Sequence, residues 1–168
     1  GCMMKSIIGM FAFILITVIL VISTPSMDNI SVYGDKETAL VVKIEQEEIV
    51  DLTDKFMDIL VQEVDNNYKT IHVHSKDDLL SRFEEVTTRD VAMPYVDFYY
   101  HEEADGMYIL PTETPPWFIK EAPYDVKEIT NNRLKIIQSN HTEVNGTYTI
   151  EIELTYDDKW KITNITLK

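Results

Sequence analysis

Three regimes of apolar spacing follow one another along the chain. The first is a continuous run. Ser6–Thr24, SIIGMFAFILITVILVIST, is 19 residues without a charge, and its apolar part Ile7–Ile22 contains one polar residue, Thr17. At about 1.5 Å of rise per residue, such a helix nearly spans the roughly 30 Å hydrocarbon layer of a bilayer. A core helix of a small protein is rarely apolar on every face, so this run predicts membrane targeting.

The second regime is helical. Ile49, Leu52, Phe56, Ile59, Leu60 and Val64 recur at three- and four-residue steps and predict a helix over 45–64. The preceding apolar stretch, Ala39–Ile44, either extends this helix or forms a strand. Thr70–His74 is a short β-prone piece. Ser75-Lys-Asp-Asp78 then has the character of a capping box, with Ser75 as N-cap and a carboxylate three residues on. It predicts a helix to about Val86 that buries Leu79, Leu80 and Phe83. Thr87-Thr-Arg-Asp90 repeats the signal. A third helix is predicted to about Glu102, burying Val91, Ala92, Tyr95, Phe98 and Tyr99, with Pro94 in its first turns or kinking it.

After Gly106 the period changes to two. Met107–Leu110 reads as a short strand, and Pro111–Pro123 as an ordered but irregular loop with proline residues around Trp117-Phe118. Strands are predicted at about 124–129, 133–139, 147–156 and 159–167. In the clearest, Tyr148, Ile150, Ile152, Leu154 and Tyr156 alternate with Thr149, Glu151, Glu153 and Thr155, as in an antiparallel sheet with one wet face. Asp157-Asp158 predicts a tight hairpin. In the last strand Trp160 and Ile162 are in one phase while Ile165 and Leu167 are in the other, which predicts a bulge near Thr163-Asn164 and a bent sheet. Helices first and strands after make the fold class α+β: an N-terminal membrane helix or signal, then helices packed in a curved antiparallel sheet. The domain division is 1–24 signal peptide or transmembrane anchor, 25–36 polar linker, and 37–168 exported domain.

Charge orients the chain. Lys5 precedes the apolar run and the first charge after it is Asp28, so the positive-inside rule places residues 28–168 outside the membrane. The run is slightly long for a signal-peptide core and slightly short for a span. The lack of a clean A-x-A cleavage site favours a retained single-pass anchor over secretion after cleavage. Gly1 and Cys2 precede two methionines, Met3 and Met4, either of which suits a native start. Cys2 is the single cysteine of the 168 residues, so the exported part folds without disulfides, as suits a bacterial cell envelope. Cys2 also lies before the run, where a lipoprotein cysteine does not sit, and Lys5 stands where myristoylation expects Ser or Thr. Four N-x-[ST] triplets, at Asn29, Asn140, Asn145 and Asn164, are a weak glycosylation signal in an Asn- and Thr-rich chain.

The net charge of −14 argues against nucleic-acid binding, which needs a basic face for phosphates. Lys5 is the one charge outside residues 28–168, which therefore carry −15 and suit cationic surfaces or divalent ions over anionic wall polymers. Glu47, Asp51, Asp54 and Asp58 form an acidic stripe on the polar face of the first helix, read as a solvated face. His72-Val-His74 puts two imidazoles on one strand face, a candidate pair of metal ligands lacking the third and fourth that zinc needs. No G-x-S-x-G, phosphate-binding glycine loop or dinucleotide fingerprint is present, and no cofactor is expected. Trp117 and Phe118, in their proline-rich loop, are either a hydrophobic anchor for a partner or a plug packed within the domain.

The ending Asp158-Lys-Trp-Lys-Ile-Thr-Asn-Ile-Thr-Leu167 resembles the last strand of nuclear-transport-factor-like (NTF2-like, or SnoaL-like) domains, in which a cone-shaped sheet wraps on helices. Ser75–Trp117, with Tyr108-Ile-Leu-Pro-Thr-Glu-Thr-Pro-Pro-Trp-Phe118, is similar to an exported family of unknown function in spore-forming Gram-positive bacteria. The resemblance covers about residues 45–168. It implies a cone-like fold and, in many relatives, a homodimer through the sheet's outer face. That superfamily hosts isomerases, dehydratases, ligand binders and interaction modules, so fold does not choose function. Its enzymes use a carboxylate base with Tyr or His partners in an apolar cavity. Tyr95, Asp97, Tyr99 and His101 are the candidates for such a site here, Tyr95 and Tyr99 sharing a face and Asp97 pointing elsewhere. The expectation is a non-catalytic binding or interaction module held at the membrane through the N-terminal segment, with a protein or envelope ligand as partner. The alternative is a small cavity enzyme.

Overall fold

A computed structural model describes residues 42–168. The predicted membrane segment and the polar linker lie outside the described residues. Among these residues the order is three helices, then six strands. They are α1 (Gln46–Leu60), α2 (Lys76–Phe83), α3 (Arg89–Tyr99), β1 (Tyr100–Glu103), β2 (Gly106–Ile109), β3 (Asp125–Thr130), β4 (Arg133–Thr142), β5 (Gly146–Asp157) and β6 (Lys159–Leu167). The fold class is mixed α+β. Strands β1 and β2 form an antiparallel hairpin. Strands β3-β4-β5-β6 form an antiparallel sheet in chain order.

Helix α1 presents Ile49, Leu52, Phe56 and Leu60 to the core. It stops at Leu60 and not near Val64. The Tyr100 hydroxyl donates to the Leu60 carbonyl at 2.5 Å and accepts the Gln62 N–H at 3.2 Å, so a long-range contact occupies the groups that another helical turn would use. Val64 instead pairs with Thr70 in an isolated bridge. The β-prone stretch after it forms bridges but no strand. Ser75 caps α2 as expected, its hydroxyl accepting the Asp78 N–H at 3.1 Å.

The second capping signal marks the start of α3 but makes no side-chain capping bond. Thr88 is the N-cap of α3 without a side-chain bond. Its neighbour Thr87 donates its hydroxyl to the Ile162 carbonyl at 2.7 Å, tying the start of α3 to β6. Pro94 lies inside α3. The helix buries Ala92, Val96 and Tyr99, so Val96 replaces Phe98, whose side chain is 62% exposed. Tyr100–Glu103, expected as the end of this helix, turns extended and pairs with β2 in the register Tyr100↔Ile109 to Glu103↔Gly106.

The sheet matches its sequence pattern closely. Tyr148, Ile150, Ile152 and Leu154 face the core from β5, with half-buried polar residues between them. Thr163 is the extra residue of a bulge: Leu154 pairs with Ile162 and Glu153 with Asn164. The added residue brings Ile165 opposite Ile152, so hydrophobic residues of both phases oppose core positions. Phe56, Phe83, Leu79, Met107, Ile136, Ile152 and Ile162 are among the fully buried side chains between helices and sheet.

Candidate functional site

The proline-rich loop 111–123 is held from below by polar groups in the core phase of β4. Leu134, Ile136, Gln138 and Asn140 are all buried on that strand. The Gln138 amide accepts the Ile119 N–H at 2.8 Å and donates to the carbonyls of Ile119 at 2.8 Å and Ala122 at 3.1 Å. Asn140 donates to the Gln138 amide oxygen at 2.9 Å, and the Tyr148 hydroxyl donates to the Trp117 carbonyl at 2.7 Å. The backbone groups of Trp117, Ile119 and Ala122 thus find partners, which is what lets an irregular segment pack against a core. The same inward bond makes Asn140 a poor glycan acceptor.

This clamp turns both aromatic residues of the loop inward. Trp117 stacks on Phe56 with ring centroids 4.7 Å apart, meets Tyr95 edge-on at 6.3 Å, and donates its indole N–H to the Thr53 carbonyl at 3.1 Å. Phe118 is 8% exposed and packs on Tyr124. Neither ring stands free as an anchor for a partner, because each is committed to its own core.

What the loop leaves on the surface is a groove. Pro94, Tyr95, Phe98 and Tyr99 of α3, Pro115 of the loop and Leu167 of β6 line an open cleft of about 290 Å³. This is near the lower end of small-molecule sites. The Tyr99 hydroxyl donates to the Glu113 carbonyl at 3.3 Å. Burial, and then the neighbouring Tyr99, push the Tyr95 hydroxyl up to about 12. Tyr95 and Tyr99 do share one cleft, as their helical spacing predicted.

The other candidates lie elsewhere. Asp97 is exposed and pairs with Lys76 at 2.8 Å. His101 is exposed, pairs with Glu103 at 3.3 Å and stacks on Tyr108, its cross-strand partner in the hairpin. The four residues are therefore not one constellation. His72 and His74 are both exposed, and His72 pairs with Glu63 at 3.2 Å. Among the described residues no group of three or more His, Cys, Asp or Glu side chains is placed to hold a metal. The acidic stripe of α1 is solvated, with Asp51 paired to Lys55 at 3.0 Å. The buried polar side chains among the described residues are Thr53, Thr70, Thr87, Gln138 and Asn140; none is a carboxylate or imidazole.

The outer face of the sheet is a charge ladder. Lys135 of β4 lies 3.3 Å from Glu151 and 3.2 Å from Glu153 of β5, Arg133 lies 2.8 Å from Glu153, and Lys168 lies 2.5 Å from Glu151. The hydrogen bond from Lys168, then that from Lys135, holds the Glu151 carboxyl below its ordinary range. At Glu153 burial pushes upward, but Lys135 and Arg133 outweigh it and the carboxyl is again lowered.

No family model matches the chain, and a search of the curated proteins finds no match. Among the described residues no helix is long and apolar enough to cross a membrane.

Proposed function

We propose that the chain is an extracytoplasmic interaction module of the bacterial cell envelope, anchored by Ser6–Thr24, with a cone-like NTF2-type domain that binds and does not catalyse. The observation that carries this reading is the position of Trp117. Its ring, stacked on Phe56, edge-on to Tyr95 and hydrogen-bonded to the backbone of α1, occupies space between α1 and α3 where a reaction chamber would need room. A domain so filled works through its surface. The apolar groove around Phe98 then offers a partner a place to rest, since exposed aromatic residues beside proline make favourable contacts at interfaces.

The groove also favours a second reading, a small cavity enzyme in which Tyr95 or Tyr99 stabilises an oxyanion. That reading needs a carboxylate base beside the tyrosines. Asp97, the nearest in sequence, does not line the groove and is held by Lys76.

The test replaces Phe98 with a photo-crosslinking benzoyl-phenylalanine in the full chain and irradiates living bacteria. Crosslinking to one discrete envelope component is expected, with none at the equally exposed turn residue Val144. No adduct at position 98, with the chain found in the cytoplasm, would overturn the proposal.

A further inference from the structure

The charge ladder on the outer face of the sheet is interrupted at one edge. Reading across the strands, Glu151 and Glu153 of β5 are followed by Arg133 and Lys135 of β4. Next comes Lys127 of β3, which sits directly opposite Lys135. Two lysines in cross-strand register are unfavourable unless acids flank them. Lys135 has its acids. Among the described residues Lys127 makes no ion pair, and neither does Asp125. A further strand with a carboxylate opposite Lys127 would complete the alternation.

Among the described residues nothing pairs along the outer side of β3. The strand is the edge of the sheet, and all six of its residues are exposed. Val126 is 50% exposed, on the face it shares with Ile136. An edge of this kind presents unpaired backbone donors and acceptors to any extended chain.

Symmetry selects the register. When a strand pairs antiparallel with its own copy about a two-fold axis, the residue on the axis meets itself and its neighbours meet each other. An axis at Lys127, Glu128 or Asp125 brings like charges together. An axis at Val126 brings two valines together and sets Asp125 of each copy opposite Lys127 of the other, on the outer face where the ladder stops. The bulge between Glu128 and Thr130 ends regular pairing on the far side.

We propose that β3 is a self-association edge: two copies of this chain pair β3 to β3 about Val126, joining two four-stranded sheets into one of eight. The occupant is a second copy because Asp125 and Lys127 complement each other across that axis. This surface is distinct from the Phe98 groove and does not rest on the envelope reading.

The experiment uses the full chain with Cys2→Ser, so that an introduced cysteine is its only thiol. With Val126→Cys, mild oxidation in detergent extracts is expected to give a dimer at twice the 19.5 kDa chain mass. Cα atoms directly opposite in an antiparallel pair lie about 4.5–5.5 Å apart, within disulfide range. Val144→Cys, which is 67% exposed at the β4–β5 turn, is expected to stay monomeric. Adding Lys127→Asp to Val126→Cys should abolish the dimer. Adding Asp125→Lys as well should restore it, because the swapped pair is again complementary. Absence of the Val126→Cys dimer, equal crosslinking at position 144, or a crosslink to a different protein each overturns the proposal. So does indifference to Lys127→Asp, or failure of the charge swap to restore pairing.

Discussion

Replacing Gln138 by glutamate changes one atom in the clamp beneath the proline-rich loop, and the structure fixes what that change does. The two acceptor roles survive, toward the Ile119 N–H and the Asn140 amide. The two donor roles, toward the carbonyls of Ile119 and Ala122, become an oxygen facing oxygens at amide distances of 2.8 and 3.1 Å. Gln138 is 1% exposed, so water does not readily substitute. Each orphaned acceptor costs about 1–3 kcal/mol. A carboxyl in this position is also driven toward its neutral form, by roughly 2–3 pH units, each about 1.36 kcal/mol. The sign follows from linkage. The folded-state pKa lies above the unfolded value of about 4.3, so the charge penalty is absent below that value and grows as pH rises. Relative to wild type, Gln138→Glu should cost about 1–2 kcal/mol near pH 4, where the protonated acid regains one donor, and about 4 kcal/mol or more by pH 8. Gln138→Leu should cost about 2–4 kcal/mol at every pH, since it carries no proton to lose. Urea unfolding of the full chain in mild detergent, followed by tryptophan emission from pH 4 to 8, measures both. Equal losses for Gln138→Glu at pH 4 and pH 8 would refute the clamp.

Three further outcomes follow from the same packing. Trp117→Ala should cost about 3 kcal/mol, the low end for a large aromatic because the ring is only partly buried, and a melting point within a degree of wild type would count against the plug. Phe98→Ala should change stability by less than about 0.5 kcal/mol, since 62% of that side chain is already in water; a core-sized loss would place it inside. Burial pushes the hydroxyls of Tyr95 and Tyr100 up to about 12, so their contribution to stability is complete below pH 10 and is lost as pH rises toward 12; a folded Tyr95→Phe, Tyr100→Phe chain with less tyrosinate absorbance at pH 10 than the wild type would contradict this.

Sequence reading succeeded where one local rule decides the structure. The alternation from Tyr148 to Leu154, the phase break that becomes the Thr163 bulge, and the Ser75 cap all belong to this kind. It failed where a distant group decides. The Tyr100 hydroxyl ends α1 from 40 residues away, and pairing with β2 pulls Tyr100–Glu103 out of the helix that periodicity extended. Helical spacing allows α3 an apolar arc wider than one buried face, and packing within the domain buries Val96 and leaves Phe98 exposed. Of the site, the pairing of Tyr95 with Tyr99 in one cleft was legible from their spacing, and so was the isolation of Asp97. The signal for Gln138 was available, a polar amide in the same phase as Leu134 and Ile136, but what it holds lies in a loop that sequence pattern does not place.

The functional reading stands on residues 42–168 facing away from the cytoplasm. The most direct measurement is a Cys2→Ser, Val144→Cys chain exposed to a membrane-impermeant maleimide in intact bacteria. Position 144 is 67% exposed, so access and not burial controls its labelling. Labelling without lysis is the expected result. A thiol that reacts only after the cells are broken would put the domain in the cytoplasm and contradict the account.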